Sequence, residues 1–161
     1  MKELFNSFEK VGFEKKNLVL LDTCFIFDML KRNEKLPSGF EYGLSSFTVE
    51  ELLKVTHKNL HKMKVPFRRF LNENSFVIVE TPVHPGDWEG EKDFVKSVDP
   101  KILQHVPDAS DAVLLAVAVK THSIVMTKDK HHLFTVELEN FIVQYGIKVY
   151  KELKDLDGLG S

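Results

Sequence analysis

The chain's 161 residues make one domain of ordinary size, and a composition 43% hydrophobic and 29% charged excludes a disordered polymer. Lys and Arg number 22 against 24 Asp and Glu, a formal charge of -2. That total excludes a generally basic nucleic-acid coat protein and an acidic tail, yet it permits opposed local patches. The single cysteine, Cys24, rules out an internal disulfide and a multi-cysteine zinc site, and it suits a reducing compartment.

In chain order, Leu4, Phe5, Phe8 and Val11 share a helical face. Residues 18–21 read as a buried strand closed by Asp22, and 25–32 as the helix that follows it. A weaker strand spans 43–47. Thr48 then reads as the N-cap of a helix carrying Leu52, Leu53 and Val55, with Glu51 completing a capping box. Helical spacing continues over 57–72, interrupted by Pro66. Residues 76–79 form a strand ending near Glu80-Thr81-Pro82. Prolines and glycines break 82–107 into a loop with one or two short helices. Ser110 or Asp108 caps a helix over 112–120, and a strand over 123–127 leads to Asp129. Phe134, Leu138 and Phe141 space a last helix that Gly146 ends, before a strand over 147–150.

Strands apolar at nearly every position, separated by helices, predict an α/β fold. The expected form is a three-layer α/β/α sandwich around a mainly parallel sheet of four to five strands. Residues 1–155 are expected to form one domain, with 156–161 a flexible tail. No stretch approaches 18 consecutive apolar residues and the N-terminal residues lack the apolar run of a signal peptide, so a cytoplasmic protein away from membranes is expected.

In open α/β sheets, ligands sit beyond the carboxyl ends of the strands. Four separated segments deliver a carboxylate to that edge: Asp22 after the first strand, Glu51 on the helix after the weak strand, Asp111 with Asp108 nearby, and Asp129 after the strand over 123–127. Each acid alone is explained as a helix cap or a solvated side chain. Together they repel one another, and a cluster of that kind calls for a cation. Oxygen donors select Mg²⁺ or Mn²⁺, and two such ions can support phosphodiester hydrolysis.

Leu-Leu-Asp-Thr-Cys-Phe-Ile-Phe-Asp resembles the opening motif of PIN-domain nucleases. Ser-Ser-Phe-Thr-Val-Glu-Glu-Leu-Leu, Ser-Asp-Ala-Val-Leu-Leu-Ala-Val-Ala and Ile-Val-Met-Thr-Lys-Asp are similar to the second, third and fourth motifs, in family order over residues 18–134. The alignment selects Glu51 over Glu50 and Asp111 over Asp108. The resemblance implies an endoribonuclease whose Asp22, Glu51, Asp111 and Asp129 hold one or two Mg²⁺ or Mn²⁺ ions, with Thr23 and Thr127 in support and a 5′-phosphate left on the product. Cys24 stands where the family often has Asn, and His132 where some members carry a further acid, a place Asp108 can supply. Both a VapC-like toxin with an antitoxin partner and an archaeal-type RNA-processing enzyme with partner proteins fit this pattern, and the family allows a homodimer.

Residues 54–69 hold six cations and no acid. Lys54, Lys58 and Lys62 recur every four residues, and Arg68 and Arg69 follow, so the stretch reads either as a solvated helix face or as an RNA phosphate track. His57 and His61 make too few ligands for zinc. His131 and His132 read as surface residues or phosphate contacts, and Trp88 as a base-stacking face or a hydrophobic anchor. The Phe residues read as core. A non-catalytic RNA-binding module of the same fold is the competing function. The sequence argues against a phospho-acceptor receiver, since Glu80-Thr81-Pro82 follows 76–79 in place of an acceptor Asp, and against a haloacid-dehalogenase-type phosphatase, since Asp22-Thr23-Cys24 lacks the second Asp of Asp-x-Asp.

Overall fold

Runs such as Leu18-Val19-Leu20-Leu21 have no polar face, so they need cover on both sides. The computed structural model supplies it. The structure describes residues 2–59, 62–128, 133, 135–157 and 159, and the side chains of all of these except 56–59. Six parallel strands form one sheet: β1 (Glu9–Val11), β2 (Val19–Leu21), β3 (Tyr42–Ser45), β4 (Phe76–Val79), β5 (Ile124–Met126) and β6 (Lys148–Tyr150), in the spatial order β1-β4-β3-β2-β5-β6.

Alternate residues of one strand enter different cores. Leu18 and Leu20 join Val77 and Val79 in one cluster, while Val19 and Leu21 join Phe76 and Ile78 in the other. The second cluster is roofed by α1 (Lys2–Asn6), α2 (Thr23–Arg32), α3 (Ser46–Asn59) and α4 (Lys64–Glu73). The first is roofed by α5 (Trp88–Val98), α6 (Ile102–His105), α7 (Ala109–Thr121) and α8 (Val136–Ile142). This is a three-layer α/β/α sandwich. Helix α7 is apolar around its whole circumference, and every residue of 112–118 is buried. A helix of that kind belongs in a core, where each Val or Leu contributes about 1.5–3 kcal/mol. Leu156, near the C-terminus, is buried in the second cluster. Among the described residues no helix is long and apolar enough to cross a membrane.

The sheet has six strands rather than four to five. The addition is β1, an edge strand paired with β4, whose Glu9 and Lys10 are exposed. The single helical face expected for Leu4, Phe5, Phe8 and Val11 is not formed. Helix α1 stops at Asn6, and the chain turns there with the Ser7 hydroxyl on the Leu4 carbonyl at 2.6 Å. The cap of α3 lies earlier than expected. Ser45 Oγ accepts the Thr48 N–H at 3.0 Å, and Thr48 itself is buried in the first turn. The segment 57–72 is not one helix, because α3 ends at Asn59 and α4 begins at Lys64. Pro66 falls in the first turn of α4, where its missing N–H is no loss. Helices α5 and α6 occupy the proline-rich segment as expected, and Asp108, rather than Ser110, caps α7.

Candidate active site

The sheet order reverses at β2. Strands β3 and β4 step away on one side, and β5 and β6 lie on the other. The position where such sheets bind ligands is therefore beyond the carboxyl ends of β2 and β5. Asp22 stands there. Its N–H donates to the Met126 carbonyl at 3.0 Å, tying the two strand ends together. Its Oδ1 accepts the Thr23 N–H at 2.8 Å as the cap of α2. Its Oδ2 accepts the Thr127 hydroxyl at 2.7 Å and the Cys24 thiol at 3.2 Å. Cys24 carries exposed surface, but its sulfur faces inward, 3.4 Å from Thr127 Oγ1 and 3.4 Å from the Lys128 N–H that donates to it. Desolvation, with the Asp22 charge second, pushes the thiol up to about 11, so it stays protonated and serves as a donor.

Glu51 reaches the same region from α3. Burial, followed by the negative charges of Asp22, Glu91 and Asp108, pushes its carboxyl up to about 7. The Thr23 hydroxyl acts in the opposite sense, although its buried oxygen makes no hydrogen bond of ordinary geometry among the described residues. Glu50 is engaged elsewhere, with Oε1 2.7 Å from His84 Nδ1. At the start of α7, Asp108 Oδ1 accepts the Asp111 N–H at 3.1 Å, and Asp111 lies half-buried in the first turn.

Asp22, Glu51 and Asp108 thus share one electrostatic neighbourhood, with Asp111 a single turn from Asp108. Asp129 lies outside the described residues, as do His61, His131, His132 and Phe134, and the side chains of His57 and Lys58 are not described either. Sequence reasoning missed Glu91. It occupies a position on the apolar stripe of α5, with Phe94 and Val95, and is completely buried. The signal was available: a carboxylate at a helical position where the period demands a hydrophobe.

The donors suit Mg²⁺ or Mn²⁺ in kind. All are carboxylate oxygens, and one of them, Glu91 Oε2, is buried with no hydrogen-bond partner among the described residues. As they stand, no three His, Cys, Asp or Glu side chains among the described residues group closely enough to hold an ion. The loop that leads toward residue 129 is held from behind. Lys128 Nζ lies 3.1 Å from Glu152 and 3.5 Å from Asp28, and its ammonium sits over the Phe25 ring.

The basic stretch divides between elements. Lys62 falls in the turn between α3 and α4, so Lys54, Lys58 and Lys62 do not line one helical face. Lys54 is exposed and donates to the Pro85 carbonyl at 3.2 Å. Arg68 and Arg69 are exposed on α4. With Lys64, Val65, Asn72 and Glu73 they line a cleft of about 570 Å³. Trp88 is 70% exposed, so it is not a buried anchor. It borders a second cleft, formed with Lys92 and the Pro107–Ser110 segment. No protein-family model matches the chain, and no curated protein matches it either.

Proposed function

We propose that the protein is a metal-dependent endoribonuclease of PIN-domain type, hydrolysing RNA phosphodiesters and leaving a 5′-phosphate. One observation carries this reading. At the switch point of the sheet, α3 holds Glu51 where burial, and after it the charges of Asp22, Glu91 and Asp108 from three other segments, pushes its carboxyl up to about 7. Carboxylates assembled at a structural cost at such a position mark a functional site.

Asp22, Glu51, Asp111 and Asp129 would hold the ions, with Asp108 at the margin. One or two Mg²⁺ or Mn²⁺ ions would supply a water ionised at neutral pH and charge neutralisation for the phosphodiester. The chain's own residues set up the rest. Thr127 and the protonated Cys24 aim Asp22, and the Asp22–Met126 backbone bond holds the β2 and β5 ends in register. In the metal-free protein Glu51 titrates near neutrality, so a cation bound there would displace its proton. Lys54, Lys58, Lys62, Arg68 and Arg69 would supply phosphate contacts, and the exposed Trp88 a face for an unpaired base. We place this activity in the cytoplasm, with either an antitoxin or RNA-processing proteins as partners and a homodimer as an allowed assembly.

The second reading is a non-catalytic RNA-binding module. It draws on the absence of a ready three-ligand group among the described residues. Cleavage of labelled single-stranded RNAs in Mg²⁺, Mn²⁺ or EDTA, by wild type and Asp22→Asn, separates the two. We expect cutting only with metal and only by wild type. RNA binding that is equal in EDTA and Mn²⁺, with no cleavage, gives the field to the second reading.

A further inference from the structure

Glu91 belongs to none of the motifs, yet it is the most deeply buried acid among the described residues. It is fully buried on α5 where that helix packs on α7. Its Oε1 accepts the Ser110 hydroxyl at 2.9 Å, and Ser110 immediately precedes Asp111. Its Oε2 is equally buried and has no partner among the described residues. A carboxylate with one oxygen unsatisfied in the interior is costly unless a proton or a cation compensates it. A side chain needed only to hold Ser110 could be Gln, which offers the same acceptor without a charge. The helical stripe at this position calls for a hydrophobe. Glu91 also lies near enough to Glu51 to act on its carboxyl through space.

We propose that Glu91 is a further carboxylate of the cation site, with one oxygen anchored by Ser110 and the other left to serve a divalent cation or a water bound to it. This rests on the cation-binding part of the proposed function and not on RNA cleavage. It accounts for the one feature of α5 that packing does not: a carboxyl group in a fully buried position with one of its two oxygens lacking a partner among the described residues.

The test is Mn²⁺ binding to the full-length protein without RNA at pH 8, measured by calorimetry and by the electron paramagnetic resonance signal of free Mn²⁺. Wild type, Glu91→Gln and Ser110→Ala are compared, with melting curves in EDTA. Glu91→Gln is expected to bind Mn²⁺ at least about tenfold more weakly while melting at the same or a higher temperature in EDTA. Ser110→Ala is expected to lose affinity several-fold. If Glu91→Gln does not fold, Glu91→Asp takes its place, with the same loss of affinity expected. Mn²⁺ affinity equal to wild type in the folded Glu91 variant overturns the proposal. So does wild-type protein that takes up no Mn²⁺, a result that also removes the metal-dependent part of the functional reading. If wild type cuts RNA with Mn²⁺ and the Glu91 variant binds the ion unimpaired, only Glu91 falls. If Mn²⁺ binding needs Glu91 but no RNA is cut, Glu91 stands and the nuclease reading falls.

Discussion

The Thr127 hydroxyl donates to Asp22 Oδ2 at 2.7 Å, joining residues 105 positions apart across the point where the sheet order reverses. Asp22 follows β2 and Thr127 follows β5, so this bond, with the Thr23 N–H on Oδ1 and the Cys24 thiol on Oδ2, fixes the carboxylate between the two strand ends. A hydrogen bond to a charged acceptor contributes about 1.5–3 kcal/mol. Thr127→Val keeps the shape and removes the donor. It should lower stability by about that amount in urea titrations and reduce RNA cleavage more than Thr127→Ser. Equal behaviour of the two variants would show that Asp22 needs no hydroxyl.

Glu51 makes the metal-free protein sensitive to pH. Its carboxyl is pushed up to about 7 by burial and by Asp22, Glu91 and Asp108, against about 4.3 in an unfolded chain. The folded state therefore holds the proton more tightly. The stability this confers is fully present below about pH 4.3 and is lost as pH rises to about 7, at up to about 1.4 kcal/mol per unit. In EDTA, Glu51→Gln should melt above wild type at pH 8, by about 1–3 kcal/mol of stability, with the difference closing toward pH 4–5. A difference constant across that range would contradict the assignment. For the same reason, Mn²⁺ should bind wild type more weakly at pH 6 than at pH 8, since ions displace protons from their ligands.

Cys24 is open to a small reagent, yet its thiol is pushed up to about 11 by desolvation and by Asp22. Since the thiolate is the nucleophile, a disulfide-exchange reagent at pH 8 should label it about a hundredfold more slowly than a free cysteine. Asp22→Asn should accelerate the labelling, and denaturant should restore the ordinary rate. Fast labelling of the native wild type would mean that the sulfur does not face Asp22.

The exposed Arg68 and Arg69 test the phosphate track separately from the chemistry. If both contact phosphates of a single strand, replacing them with Ala should lower the slope of log affinity against log salt by about 1.4. RNA affinity measured in EDTA across a salt series reads this directly, with Lys148→Ala on the far edge strand as the control. An unchanged slope places the RNA elsewhere.

Features set by neighbours along the chain were legible in the sequence. The strands β2, β4 and β5 show as unbroken apolar runs because burial on both faces leaves no polar position, and that same fact predicts helices on both sides of a parallel sheet. Asp22 and Asp108 show as cap residues because capping needs only the local backbone. Edge strand β1 was hidden, since Glu9 and Lys10 meet solvent and carry no alternation. The break between α3 and α4 was hidden too, because helical spacing continues through it, and it takes Lys62 off the α3 face.

What tertiary structure alone decided is which acids meet. Sequence order placed Asp22, Glu51 and Asp111 at one predicted edge. Only the packing of α5 on α7 buries Glu91 and couples it to Ser110, and only the crossing from β2 to β5 brings Thr127 to Asp22. Periodicity encodes the face a residue occupies on its own element. The charge it feels depends on distances between elements, and those exist only once the chain has folded.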